Sequence, residues 1–164
     1  MRLMRRAFPL ALLTGVLIIA APSRAAADIT AFIGVNPTPE SRTTTGISVG
    51  VGLLIVGFEF EYAHTREDLL EGAPRLRTYM FNGLLQTPFA IAGFQPYATA
   101  GGGVYHETLN DDSETNFGIN VGGGVKMSLA GPLRLRLDYR VFTLQGDPRY
   151  SHPQRFYAGL NLKF

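Results

Sequence analysis

The residues able to do chemistry in this chain recur at intervals of two. Glu59 and Glu61 are one such pair, and Arg134, Arg136, Asp138 and Arg140 form a longer run. Lys126, Arg155 and Lys163 lie in segments of the same character. On extended backbone, residues at i and i+2 share a side, so these groups line a face where they form either an ion path and gate or a plug of ion pairs. An unpaired charge in a confined space is costly and a paired one tolerable, which makes the plug the expectation. His64, His106 and His152 are the groups able to ligate a metal or move protons. Ser151 and His152 are adjacent in a Pro-flanked loop. Asp111-Asp112-Ser113-Glu114 offers oxygens to calcium without the ordered ligand spacing of a strong calcium loop, so it reads as a solvated acidic loop. Cysteine is absent, which excludes disulfides and thiolate metal sites. No catalytic, cofactor-binding or metal site is expected.

The segments that must position these groups alternate. The last ten residues, Arg155 to Phe164, put Phe156, Ala158, Leu160, Leu162 and Phe164 on one face and Arg155, Tyr157, Gly159, Asn161 and Lys163 on the other. Their length matches the roughly 9–11 residues of a tilted strand that crosses a bilayer, and the alternation is that of a two-sided strand. The same pattern predicts strands over Ile29–Asn36, Thr45–Leu53, Ile55–Ala63, Arg75–Thr87, Gln95–His106, Asn116–Leu129, Leu133–Leu144 and Arg155–Phe164. The connections Pro37–Thr44, His64–Pro74, Glu107–Thr115 and Gln145–Gln154 are long and rich in charge, Pro, Asp and Ser. Those between them, Leu54, Pro88–Phe94 and Ala130-Gly131-Pro132, are short. Long and short connections thus take turns, as in an up-and-down barrel with outside loops and periplasmic turns.

Met1 to Ala27 reads as a cleaved secretory signal. Arg2, Arg5 and Arg6 precede an apolar core from Ala7 to Ala21, and Ala25-Ala26-Ala27 supplies the small residues of a cleavage site before Asp28. The apolar run is short of the ~20 residues of a spanning helix. Four of the fifteen basic residues lie in this segment and none of the thirteen acidic ones does. The formal charge of +2 therefore becomes −2 over residues 28–164, which are expected to form one domain. That balance leaves no nucleic-acid footprint.

Periodicity alone does not say which face of a closed sheet points outward. The polar face mixes charges with Gly50, Gly57, Gly118, Gly122, Gly124 and Gly159, and small residues are what the interior of a narrow eight-stranded barrel can hold. The apolar face is bulky, with Phe164, Phe117, Phe156 and Tyr62 near strand ends, like the aromatic girdles of membrane barrels. The expectation is an apolar exterior against lipid. A lipocalin-like soluble barrel, with its apolar pocket inside, is the alternative.

Three stretches carry a resemblance: the Gly-rich hairpin Thr99-Ala100-Gly101-Gly102-Gly103-Val104-Tyr105 with Asn120-Val121-Gly122-Gly123-Gly124-Val125-Lys126, the strand Leu135-Arg136-Leu137-Asp138-Tyr139-Arg140, and the terminal Gly159-Leu160-Asn161-Leu162-Lys163-Phe164. In this order they resemble the outer-membrane β-barrel domain family of Gram-negative envelopes, similar to eight-stranded OmpA-like and opacity-type surface proteins. The resemblance covers residues 28–164 and implies an all-β, eight-stranded antiparallel transmembrane barrel in the cell outer membrane. It implies outer-membrane lipid and lipopolysaccharide as surroundings, a monomer, and recognition by the barrel-assembly machinery through the strand ending in Phe164. The peptidoglycan-binding module of full-length OmpA-like proteins is not seen after Phe164. The function implied is non-enzymatic, in envelope structure or in surface contact and adhesion through the loops. A narrow porin-like channel and a lipid A-modifying enzyme are the alternatives, and no spacing here matches the His-x-Ser pattern of the deacylase kind.

Overall fold

The structure, a computed structural model, describes residues 26–164. It contains eight strands: β1 (Ala26–Asn36), β2 (Arg42–Leu53), β3 (Val56–Thr65), β4 (Arg75–Gln86), β5 (Phe94–Leu109), β6 (Asp112–Ala130), β7 (Leu133–Leu144) and β8 (Gln154–Lys163). Each pairs antiparallel with its chain neighbours, and β8 returns to β1, so the sheet closes into a barrel. At the seam, Ala27 N donates to Phe164 O and Phe164 N to Ala27 O, both at 2.9 Å. Closure satisfies the backbone groups that an open sheet would leave along its two edges, which is what lets strands cross hydrocarbon. Residues 1–25 of the expected signal lie outside the described residues; Ala26 and Ala27 pair with Gly52 and Val51 of β2.

Alternation then sorts side chains between lipid and lumen. Leu160 is 55% exposed and its chain neighbour Asn161 is 0% exposed. The same split separates Val49 from Ser48, Phe58 and Phe60 from Glu59 and Glu61, and Phe81 from Met80 and Asn82. Bulky apolar groups face outward and polar groups inward, the arrangement of a membrane barrel and the reverse of a lipocalin-like one.

The connections differ from expectation in one place. Glu107–Thr115, expected as a long loop, is instead paired strand: β5 and β6 continue to Leu109 opposite Asp112, joined by Asn110-Asp111. Asn110 takes φ 53°, a left-handed conformation that Asn tolerates better than most residues and that two-residue hairpin turns require. Polar composition misled because beyond the bilayer the outer face of the hairpin meets water and its inner face carries Glu107 and Glu114, so hydrophobicity has no reason to alternate. The connections at residues 37–41, 66–74 and 145–153 remain open loops on the same end of the barrel.

Candidate functional site

The lumen is where the inward charges meet. β3 supplies Glu59 and Glu61, β7 supplies Arg136, Asp138 and Arg140, and β8 supplies Arg155; all six side chains are buried. Glu59 accepts hydrogen bonds from Arg136 through both oxygens, from Arg140 Nη2 at 3.0 Å and from Ser48 Oγ at 2.9 Å. Asp138 accepts hydrogen bonds from Arg136 Nη2 at 3.1 Å, from Arg140 Nε at 2.9 Å and from the Tyr97 hydroxyl. Tyr97 Oη in turn accepts from Arg136 Nε at 2.7 Å. Glu61 pairs with Arg155 and lies 3.2 Å from Arg140 Nη2. Three guanidiniums thus face three carboxylates. Arg136 also stacks over the Tyr97 ring, 4.8 Å from its centroid, and Arg155 over Phe142 at the same distance.

Glycine makes the room. A Cβ on Gly122 would sit 2.9 Å from Arg140 Cγ, and one on Gly124 would sit 2.6 Å from the Tyr97 hydroxyl. The long side chains of β7 and β5 therefore occupy space that β6 vacates. The free space beside Glu59, lined by Asp28, Gly50, Gly57, Leu84 and Lys126, is about 10 Å³. That is on the order of a single water.

Other layers flank the charged one. Toward the loops lies an apolar cluster of Leu76, Met80, Tyr105, Phe142 and Leu144. Toward the short turns, Lys126 Nζ pairs with Asp28 at 2.7 Å and Arg134 Nη1 donates to Gln95 Oε1 at 2.9 Å. Lys126 and Arg134 thus find their direct partners in Asp28 and Gln95 and form no ion pair with Glu59, Glu61 or Asp138. Lys163 is exposed at the end of β8.

Tyr97 and Ser48 complete the network without having been singled out in the sequence. The parity of Gln95, Tyr97 and Thr99 on β5 would have turned Tyr97 inward. Ser48 is opposite Glu61 in register, one step from the Gly50 that faces Glu59.

The histidines do not converge on a serine or a carboxylate cluster. His64 and His106 point outward near the loop ends of β3 and β5, in register with Arg77 between them. His106 Nδ1 is 2.7 Å from Thr115 Oγ1 and its Nε2 3.2 Å from Thr108 Oγ1. His152 is exposed in the 145–153 loop. Glu114 is occupied by Tyr105 and by the Asp147 amide, at 3.0 and 2.7 Å. Among the described residues, no group of three His, Asp or Glu side chains is arranged to hold a metal ion.

Residues 10–164 match the family described as outer membrane protein beta-barrel domain. The chain belongs to that family. A curated relative, the 22 kDa outer membrane protein of Rhizobium leguminosarum bv. viciae, is 29% identical over 107 residues, covering 62% of this chain and 50% of the relative. The chain thus spans about half the length of the relative that it matches. Among solved structures, the N-terminal β-barrel domain of Pseudomonas aeruginosa OprF superposes with a TM-score of 0.64 at 18% identity, covering 85% of this chain and 97% of that one. Neisserial surface protein A gives a TM-score of 0.64 at 17% identity, with 85% and 96% covered. The outer membrane enzyme PagL shares the fold more distantly, with a TM-score of 0.53 at 16% identity and 82% and 98% covered. The family places this barrel in the outer membrane, surrounded by its lipids.

Proposed function

We propose that this outer-membrane barrel is non-enzymatic and acts in envelope structure or surface contact through its loops. The observation that carries the reading is the sealed lumen: charge matched against charge beside Glu59, with an apolar layer above it. A barrel filled across its middle by paired side chains leaves its loops and outer wall as the working surface. The 66–74 loop supports contact, since Leu69 and Leu70 are exposed at its tip, where a large apolar side chain favours a partner over water. Neisserial surface protein A, which shares the fold, is by its name a surface protein. PagL shows that the fold alone does not exclude an enzyme, but among the described residues none of the three histidines is hydrogen-bonded to a serine or a carboxylate.

The reading includes a signal at residues 1–27 cleaved before Asp28, after which the seam begins at the Asp28–Lys163 pair in place of Ala27 and Phe164, a monomeric barrel, and delivery to the assembly machinery through the strand ending in Phe164. Outer-membrane fractionation with heat-modifiability on a gel tests the barrel, and lipid A mass on expression tests enzymatic activity. A shift in lipid A mass that depends on the protein would overturn the non-enzymatic reading. Deleting Phe164 should lower the amount assembled in cells while leaving detergent refolding nearly unchanged, because one terminal aromatic carries only modest buried area. Normal assembly in cells with failed refolding in detergent would make the strand structural only.

A further inference from the structure

The outward face of the barrel is apolar over most of its height, and its charged exceptions are gathered in one place. Among the described residues, the outward positions of the eight strands carry four basic side chains, His64, Arg75, Arg77 and His106, and no carboxylate. All four are on β3, β4 and β5 at their loop ends. Thr45, His64, Arg77, His106 and Thr115 form one register row across β2 to β6. Neighbouring strands are about 4.8 Å apart, so the two imidazoles flank the guanidinium on either side. One step higher, Arg75 stands opposite Thr108, and Arg66 continues β3 into the loop through its amide bond to Thr43 O.

The row below fixes the height of this patch in the membrane. It consists of Ile47, Tyr62, Tyr79, Val104 and Phe117, with the Tyr62 and Tyr79 rings 5.0 Å apart. Tyrosines at the edge of an apolar band mark the level where hydrocarbon gives way to headgroups. The basic row directly above them therefore lies at headgroup level, on the side of the long loops. Elsewhere the loop-end outward residues are uncharged: Val35, Thr43, Thr143 and Gln154.

Only one charge of this wall is cancelled from within, that of Arg75. Arg75 pairs with Glu67 at 2.7 Å, and Asp68 is turned into its own loop, accepting from the Leu70 amide at 3.1 Å. Among the described residues, no carboxylate pairs with Arg66 or Arg77, and Arg77 Nε is covered without a hydrogen-bond partner. Guanidinium geometry suits a phosphate, which it binds through two parallel hydrogen bonds. We propose that the β3–β5 wall binds the phosphate of an outer-leaflet glycolipid, with Arg77 and Arg66 as its principal ligands and His64 and His106 beside them. The acyl chains would lie along the Tyr62, Tyr79 and Phe81 surface beneath. This makes the barrel asymmetric in its own membrane, with one wall held to a phosphorylated lipid and the others indifferent to it.

The test uses the full barrel refolded in phosphatidylcholine bilayers containing bisphosphorylated lipid A, with the lipid retained on the purified barrel measured by native mass spectrometry. An arginine near an anionic lipid surface contributes roughly fivefold in affinity, so Arg66→Gln/Arg77→Gln should lower retention by about 25-fold by the same estimate. Thr143→Gln, on the opposite wall, should leave it unchanged. If the double variant does not fold, wild-type protein with chemically dephosphorylated lipid A decides, and retention should fall there too. Equal retention of phosphorylated and dephosphorylated lipid A, or by the double variant and wild type, would overturn the proposal. Heat-modifiability and lipid A mass do not depend on this wall, so its failure leaves the proposed function standing.

Discussion

Two layers of the lumen close the same bore by opposite means. In the middle, Glu59, Glu61, Arg136, Asp138, Arg140 and Arg155 fill it with matched charge. Nearer the loops, Leu76, Met80, Tyr105, Phe142 and Leu144 fill it with hydrocarbon and rings. The charged layer gains from hydrogen bonds and Coulomb attraction but has first to strip water from six ions. The apolar layer strips water from a single polar group, the Tyr105 hydroxyl, which bonds Glu114 and the Gln145 carbonyl, and is otherwise held by packing. A matched network is therefore brittle, since removing one member strands its partners, whereas an apolar layer loses only the atoms removed and the cavity they leave.

The largest expected effect follows from that brittleness. Glu59→Ala leaves Arg136 and Arg140 with one carboxylate acceptor fewer apiece and should cost about 3–5 kcal/mol, read as a lower denaturant midpoint for loss of the heat-modifiable band. Glu59→Met with Arg136→Met should recover most of that, because an apolar pair replaces a matched ion pair at little net cost. A double variant as unstable as the single one would mean that the charges cannot be traded for packing. In the apolar layer, Met80→Ala should cost about 2–3 kcal/mol by the same assay, with no second substitution able to restore it by charge balance. Ser48→Ala, which removes one neutral donor from Glu59, should cost about 1.5 kcal/mol. The smallest effect is on conductance: because the layers are in series, neither Met80→Ala nor Ser48→Ala should give stable single-channel currents in planar bilayers. Steady currents from the wild type would show that neither layer is a seal.

Much of this was legible in the chain. Period-two alternation is strong where one face meets lipid and the other meets a charged lumen, as in β3, β7 and β8, and there both the strands and the Glu59–Arg136 layer follow from parity. β4 obeys the rule less well. It turns Leu76, Met80 and Leu84 inward and Arg75 and Arg77 outward, so neither face is cleanly apolar and the hydrophobic lumen layer was not foreseen. The physical reason is height: beyond the hydrocarbon band an outward arginine is solvated, and an inward leucine is sheltered by the narrow bore. The same loss of contrast concealed the upper part of β5 and β6. Partner choice inside the lumen was also out of reach, since whether Arg134 reaches a carboxylate or Gln95 depends on stagger between strands, which one sequence does not display.

The β5–β6 hairpin offers a different kind of use. Its tip at Asn110-Asp111 stands four residues beyond the His106–Thr115 row, roughly 13 Å farther along the strand axis at about 3.3 Å per residue. Asn110 and Asp111 are exposed at the tip, while the ties to the 145–153 loop through Glu107 and Glu114 lie lower on the inner face, so a peptide spliced between Asn110 and Asp111 would be carried clear of the lipid and of the lumen. The barrel would then serve as a mast, displaying a foreign epitope on the cell surface while its ion-paired interior and closed seam remain as they are.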